Sequence, residues 1–273
     1  MSKSQIAVLE TKNPLDVEKV LKKIDAYKYF KKNEKILIKP NYVTDDLPST
    51  GVTTDPYIII GVINYLYNHG FENIVVGEGG IESYNTMKTF QKVGLTQLIQ
   101  EYDIELIDLN KDEMVSISIP NANRLKNINV AKSFVECDAI FSVSKLKVHS
   151  LATTTLNMKN MMGGILPKNI MHKNIHEKIV DLNRAFMPRI GVIDGIIGCQ
   201  CHETEGNPIN SNVIIAGADI VATDTVGSFL MGVPIEKNIY LTIASQNGMG
   251  ISNIDEIEII GSDIHSLQKK YIH

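Results

Sequence analysis

The sequence predicts an α/β fold, in which a mostly parallel sheet carries helices on both faces and so forms three layers. Two observations support this class. Short apolar segments of strand length recur along the 273 residues, and the intervals between them are long enough to hold helices. Strands that alternate with helices favour a parallel sheet with both faces covered.

The predicted strands lie at residues 6–9, 35–38, 73–76, 105–109, 139–143, 190–193, 213–216 and 256–260. The clearest helix between them spans residues 56–69, where apolar residues recur at helical spacing. Asp55 is a good N-cap, Pro56 suits the first helical position and Gly70 follows the last turn. We therefore predict one α/β domain over residues 1–273, with a smaller or inserted lobe around residues 145–190 as an open alternative.

Composition excludes several classes of protein. The hydrophobic content is 44%, enough for a sizeable core. The formal charge is −4 and no basic stripe occurs, which argues against a nucleic-acid partner. No apolar run approaches the roughly 20 residues of a membrane helix, and no secretory signal opens the chain. With only three cysteines, Cys137, Cys199 and Cys201, the expected compartment is the cytoplasm and no membrane partner is expected.

Polar residues cluster directly after several predicted strands. Lysine, asparagine and histidine are concentrated in residues 145–164, which follow the buried strand at 139–143. A parallel sheet binds ligands beyond the carboxyl ends of its strands, so residues after different strands can converge there. The residues expected to meet in one cleft include Lys39, Asn41, Lys145, His149, Asn157 and Lys159.

Clustered lysines predict an electropositive pocket for carboxylate or phosphate groups. They also lower one another's pKa, which can leave an amine neutral and able to accept a proton. We assign catalysis to Lys145, His149 and Lys159, and substrate binding to Lys39, Asn41, Lys147, Asn157, Asn160 and Glu78. The competing interpretation is that Lys39 reaches to solvent and that Gly77, Gly79 and Gly80 are turn residues, because their spacing does not match the dinucleotide fingerprint.

Metal binding is a second hypothesis. Carboxylates and imidazoles are common ligands of divalent cations, and the candidate ligands are His176, Asp194 and Asp224. His172 and His176 are four residues apart, but they could equally lie on a solvated basic helix face. The segment Cys199-Gln200-Cys201-His202 could bind a soft metal or be an ordinary loop.

Taken in order, these motifs resemble the uncharacterised family called domain of unknown function 362. The resemblance runs from about residue 35 to residue 261 and rests on Lys39-Pro40-Asn41, Thr53-Thr54-Asp55-Pro56, Lys145 with His149, Thr155-Leu156-Asn157 with Lys159-Asn160, Gly163-Gly164, His176, Asp194-Gly195, and Asp219 with Ala222-Thr223-Asp224. It implies a core fold and a set of polar positions, without an established reaction.

Members of that family are often labelled iron–sulfur centre proteins, because many carry an appended ferredoxin-like domain. The resemblance thus implies a ferredoxin-like partner. This chain has no C-x-x-C-x-x-C run, so we do not expect a [4Fe–4S] cluster of its own.

Two function classes follow. The first is an enzyme that acts on a small anionic metabolite by lysine and histidine acid–base chemistry, redox-linked or metal-assisted, as an isomerase, lyase or oxidoreductase. The second is a non-catalytic module that binds a cofactor, a metal or an electron carrier. The clustered lysines favour the enzyme.

Overall fold

A nine-stranded sheet forms the centre of the computed structural model, which describes residues 4–273. The strands, in chain order, are β1 (Ser4–Glu10), β2 (Ile36–Lys39), β3 (Ile74–Glu78), β4 (Glu105–Asp108), β5 (Met114–Ser118), β6 (Asn127–Ala131), β7 (Ala139–His149), β8 (Thr153–Thr155), β9 (Ile165–Leu166), β10 (Ile190–Cys199), β11 (Pro208–Gly217) and β12 (Ile257–Gly261). The large sheet has the order β12-β1-β11-β10-β7-β2-β3-β4, and β8 pairs with β7.

The central strands of this sheet run parallel. β10, β7, β2, β3 and β4 form one parallel run, and β12 is parallel to β1. The antiparallel strand β11 lies between β10 and β1. The predicted mostly parallel α/β sheet is therefore confirmed.

The helices begin and end as follows: α1 (Val17–Lys23), α2 (Pro56–Asn68), α3 (Thr86–Lys92), α4 (Leu95–Leu98), α5 (Lys132–Glu136), α6 (Asn157–Asn160), α7 (Ile175–Phe186), α8 (Ile220–Leu230), α9 (Ile239–Gln246) and α10 (Ile264–Leu267). At the start of α2, the Asp55 carboxylate accepts a hydrogen bond of 2.9 Å from the backbone N–H of Tyr57, and Pro56 follows as predicted. Within residues 4–273, no helix has the length and apolar character needed to cross a bilayer.

Helices cover both faces of the sheet, which gives the predicted three layers. Alternate residues of β2 show this, because successive side chains of a strand point to opposite faces. Ile36 and Ile38 belong to a core cluster that includes Ile59 of α2. Leu37, between them, belongs to a second cluster that includes Ile179 of α7. All five side chains are fully buried.

Two strands of the large sheet are longer than predicted. β7 continues from residue 143 to His149, and β10 continues from residue 193 to Cys199. β7 is longer because β8 turns back antiparallel beside its end, with Lys147 opposite Thr155 and His149 opposite Thr153. β10 is longer because its last residues pair with the start of β11. Lys145, Lys147 and His149 therefore lie within a strand and not after it.

The sequence analysis missed a second, three-stranded sheet with the order β5-β6-β9. β5 and β6 alternate partly buried or buried residues with exposed ones, so they lack the continuous apolar run that marked the other strands. β9, at Ile165–Leu166, is too short to recognise. The smaller lobe around residues 145–190 stays a prediction.

A buried ion pair joins the two central strands to α2. Lys145 of β7 lies beside Asp194 of β10, and Lys145 Nζ is 2.8 Å from Asp194 Oδ2. Neither side chain is more than 1% exposed. The same Oδ2 accepts a hydrogen bond of 2.8 Å from the backbone N–H of Asp55, directly before α2. The lysine is therefore part of the framework of the fold.

This arrangement predicts that Lys145→Met lowers the free energy of unfolding by about 3–5 kcal/mol, because the Asp194 carboxylate stays buried without its cation. The measurement is urea denaturation followed by circular dichroism. Lys92→Met is the matched control: its ion pair with Asp45 is about half exposed and should contribute less than about 1 kcal/mol. Equal losses in the two variants would contradict a structural role for Lys145.

Candidate functional site

A cavity of about 420 Å³ lies beyond the carboxyl ends of β2, β3 and β7. Its walls come from the ends of these strands, from α6 and from three loops. The residues that line it are Lys39, Asn41, Val43, Glu78, Gly79, Gly80, Ile81, Glu82, His149, Thr155, Lys159, Asn160, Met162, Gly163, Lys168, Asn169, His172, Glu203 and Thr204. A larger cavity of about 720 Å³ beside α8 and α9 has mostly apolar walls and, among the described residues, only Glu236 as a charged group.

Six of the predicted site residues line the 420 Å³ cavity, so Lys39 and His149 lie in the same cavity. The six are Lys39, Asn41, Glu78, His149, Lys159 and Asn160. Lys145, Lys147 and Asn157 lie outside its lining. Lys145 is paired with Asp194, and its assigned catalytic role stays a prediction.

The ammonium group of Lys39 is already satisfied by the protein. It lies 2.7 Å from Glu78 Oε1, 3.1 Å from Asn160 Oδ1 and 3.2 Å from the Pro40 carbonyl oxygen. These three acceptors match the three protons of an ammonium group. Burial lowers the pKa of Lys39, and the Glu78 carboxylate opposes that shift. Lys39 therefore braces the cavity wall and has no N–H left for a ligand.

Glu78 is fixed from several sides. Its Oε2 accepts a hydrogen bond of 2.8 Å from the backbone N–H of Tyr42, and Oε1 accepts one of 2.7 Å from Gly79. Gly163 packs directly over the pair, because a Cβ there would collide with Glu78 Oε1 and Lys39 Nζ. The small residue lets the chain pass close over the buried charges.

Asp224 and Asn157 position α6 and do not line the cavity. Asp224 accepts hydrogen bonds from the backbone N–H of Asn157 at 2.9 Å and of Met158 at 2.8 Å. It also accepts one of 2.9 Å from the Asn157 side chain. Burial raises the pKa of Asp224 to about 7, although these hydrogen bonds oppose the shift. The carboxylate thereby holds the turn that carries Lys159 and Asn160.

Lys159 is the cavity lysine with an uncommitted amine. No hydrogen bond or ion pair joins its Nζ to another of residues 4–273. Burial lowers its pKa to about 8, and the positive charge of Lys39 adds to the effect, whereas Glu203 opposes it. Both protonation states are therefore accessible near neutral pH.

His149 presents a defined ring nitrogen. Its Nδ1 accepts hydrogen bonds from the backbone N–H groups of Leu151 at 3.0 Å and Ala152 at 3.2 Å, so the proton of the neutral ring lies on Nε2. That Nε2 is 3.4 Å from Glu203 Oε1. Burial lowers the pKa of His149 strongly, and the charges of Lys159 and Lys147 lower it further. The ring is therefore neutral and offers an Nε2–H.

Lys147 supports the loop that closes one side of the cavity. Its buried Nζ donates to the Val52 carbonyl at 2.9 Å and to the Glu203 carbonyl at 3.3 Å. Burial lowers its pKa to about 7, and the nearby charge of Lys159 contributes. The chain's own carbonyl groups occupy the amine, and the assigned substrate-binding role of Lys147 stays a prediction.

The three predicted metal ligands are not brought together. His176 of α7 stacks on Tyr240 with ring centroids 6.5 Å apart, whereas Asp194 and Asp224 hold the partners described above. Among residues 4–273, no group of three His, Cys, Asp or Glu side chains is placed to hold a metal ion. The site predicted from His176, Asp194 and Asp224 is therefore not formed. The Cys199 thiol instead donates to the His202 carbonyl at 3.3 Å.

Sequence reasoning missed Lys168 and Glu203 as members of the cavity wall. Lys168 Nζ lies 3.3 Å from the carbonyl oxygens of both Gly163 and Ile165, and burial lowers its pKa to about 8. Glu203 accepts hydrogen bonds from Ser150 N at 3.0 Å and Ser150 Oγ at 2.9 Å. The polarity of residues 200–207, which connect β10 to β11, was the available signal for Glu203.

Comparison with known proteins gives the family. The model called Domain of unknown function (DUF362) matches residues 36–228. The chain belongs to this family. The DUF362 match begins at β2 and ends in α8, so it includes every residue that lines the cavity.

A curated relative is a thylakoid-associated protein of Synechocystis sp. It is 21% identical over 235 residues, which are 82% of this chain and 70% of the relative. The expected cytoplasmic location of the DUF362 chain stays a prediction.

Two solved structures are similar to this chain over most of its length. One is the lactate racemase apoprotein from Thermoanaerobacterium thermosaccharolyticum, with a TM-score of 0.44 and 11% identity over 83% of this chain. The other is a protein from Thermotoga maritima, with a TM-score of 0.46 and 13% identity over 86% of this chain. This chain spans 57% and 59% of those longer chains.

The packing of Gly163 predicts that Gly163→Ala displaces the Lys39–Glu78 pair and lowers the free energy of unfolding by about 1–3 kcal/mol through overpacking. Chemical denaturation measures this loss. Gly94→Ala is a control, since a Cβ at Gly94 meets no atom within 4 Å and only its left-handed backbone (φ 87°) is strained. A Gly163→Ala protein as stable as the parent would show that the pair tolerates displacement.

Proposed function

We propose that the cavity binds a small carboxylate or phosphate metabolite, that Lys159 transfers protons to or from it, and that the neutral His149 ring assists by donating its Nε2–H. The observation that carries the proposal is Lys159 itself: a cavity-lining amine without a partner among the described residues, with a pKa of about 8. A ligand anion is the partner that such a group favours, and charge-assisted hydrogen bonds are among the strongest available.

The carboxylates around the cavity each have hydrogen-bond partners other than Lys159. Glu78 is bound by Lys39 and two backbone N–H groups. Glu82 accepts a hydrogen bond of 2.9 Å from the backbone N–H of Lys168, and Glu203 is held by Ser150. Their negative charges are therefore stabilised within the protein, and Lys159 and Lys168 remain as cations facing the cavity.

The chemistry follows from the two protonation states. An amine with a pKa near 8 can hold or release a proton close to neutral pH, as a general acid–base group requires. The neutral His149 ring offers Nε2–H as a donor and shares the cavity with Lys159. Lys159 as the acid–base group and His149 as a hydrogen-bond donor support proton transfer on a bound anion, as in an isomerase or lyase. A redox-linked or metal-assisted reaction on the same anion is a narrower version of this proposal.

Lys159→Met tests the anion site. We expect the affinity for inorganic phosphate or succinate, measured by titration calorimetry, to fall by about 10–100-fold, because one charge-assisted hydrogen bond is lost. The free energy of unfolding should change by less than about 1 kcal/mol. Anion affinity in the parent should also fall as the pH rises through about 8, where Lys159 and Lys168 lose their protons, and less steeply in the variant.

Lys173→Met is the matched control for charge. Lys173 is exposed, follows the cavity residue His172 and does not line the cavity. Its loss should leave the affinity within about twofold, since exposed charges are well screened. Similar losses in both variants would show that only the general positive field attracts the anion.

His149→Gln tests whether the imidazole acts only as a hydrogen-bond donor. Glutamine keeps an N–H donor, so turnover should fall by less than about tenfold while anion affinity is nearly unchanged. The substrate for this assay is the small molecule retained by the native protein, identified by mass spectrometry. A loss of about 10²–10⁴-fold would instead show that the imidazole itself transfers protons. If the parent binds the small molecule tightly without converting it, the non-catalytic binding module is favoured. If the His149→Gln protein loses metal that the parent contains, His149 is a metal ligand.

A further inference from the structure

One amide oxygen of a residue that lines the cavity is buried without a donor. Asn41 lines the cavity and is only 3% exposed, and its Oδ1 has no hydrogen-bond partner among residues 4–273. Most buried polar atoms in proteins are hydrogen-bonded, because an unpaired one costs free energy. An unpaired acceptor at a binding site is therefore informative about what the site binds.

The orientation of the Asn41 amide follows from its neighbours. Asn160 Nδ2 donates to the Lys39 carbonyl oxygen at 3.0 Å, an atom that can only accept. Asn160 Oδ1 consequently faces Lys39 Nζ at 3.1 Å and Asn41 Nδ2 at 3.0 Å. Turning the Asn41 amide over would place two carbonyl oxygens against each other. Asn41 must therefore present Oδ1, an acceptor, as its free atom.

The backbone holds Asn41 in this place. Its N–H donates to Thr54 Oγ1 at 3.0 Å, and its carbonyl oxygen accepts from Thr54 N at 3.1 Å. Thr54 Oγ1 in turn donates to the Val143 carbonyl of β7 at 3.0 Å. These hydrogen bonds fix the Asn41 backbone relative to the sheet. They thereby restrict where the Asn41 side-chain oxygen can lie.

From this geometry we infer that the ligand carries a hydroxyl or ammonium group in addition to its anionic group, and that this second group donates to Asn41 Oδ1. The inference rests on the proposed function, in which Lys159 takes the anionic group. Lys159 supplies donors and Asn41 an acceptor, so the cavity recognises both kinds of group. A ligand without the N–H or O–H donor leaves a buried acceptor unpaired, and sites of that kind discriminate strongly against such analogues.

Matched ligand pairs on the parent protein test the inference. The pairs are malate with succinate and glycerol 3-phosphate with propyl phosphate, in which the hydroxylated member keeps the anionic group and the carbon skeleton. We expect titration calorimetry to show that the hydroxylated member of at least one pair binds on the order of tenfold more tightly. Equal affinities within each pair would overturn the inference and leave the proposed anion site standing. Failure of all four to bind would count against both.

Two variants locate the acceptor. Asn41→Ala should reduce the preference for the hydroxylated ligand to within about threefold. Thr155→Val should retain it: Thr155 also lines the cavity, and its Oγ1 has no partner among the described residues, so the near-isosteric change breaks no protein hydrogen bond. A preference that survives in Asn41→Ala, or disappears only in Thr155→Val, would contradict the assignment to Asn41. Thermal unfolding shows whether each variant is folded. If Asn41→Ala does not fold, the affinities of the ligand pairs for the parent and for Thr155→Val test the inference.

Discussion

Three lysine ammonium groups are buried at the carboxyl edge of the central sheet, and each requires acceptors that the rest of the chain must supply. Lys39, Lys145 and Lys147 are each at most 1% exposed. A buried charge without partners is strongly unfavourable. The acceptors of these lysines come from distant segments, including Glu78 of β3 and Asp194 of β10. Pairing the lysines therefore fixes the positions of the strand ends and of the loops between them.

The same requirement separates structural lysines from the one available to a ligand. The chain satisfies Lys39 with three acceptors, Lys145 with a carboxylate and Lys147 with two carbonyl oxygens. Lys159 lies on the short helix α6, which Asp224 holds from behind. Its amine faces the cavity with no partner among the described residues. A rigid support combined with an unpaired charge is what a pre-organised anion site requires.

The sequence predicted the large sheet because its central strands are continuous apolar runs, as buried parallel strands are. It did not show the small sheet, since β5 and β6 alternate polar with partly buried residues and the third strand, β9, has only two residues. Within the site, residue type placed Lys39, His149 and Lys159 at one edge of the sheet. Residue type cannot tell a paired lysine from a free one, because the partner of Lys145 is Asp194, 49 positions away. Lys168 begins a short 3₁₀ helix and Glu203 lies in a loop, and neither segment carries a periodic signal.

If an anion occupies the cavity, its binding is coupled to protons. Burial and the charge of Lys39 lower the pKa values of Lys159 and Lys168 to about 8, so both protonation states of each amine are accessible near that pH. A bound anion favours the ammonium form and raises both pKa values. Anion binding near that pH therefore draws protons onto the lysines, and anion release returns them. The strongly lowered pKa of His149 keeps its ring neutral through this cycle. The imidazole can thus keep its Nε2–H directed at Glu203 or a ligand while the lysines change charge beside it.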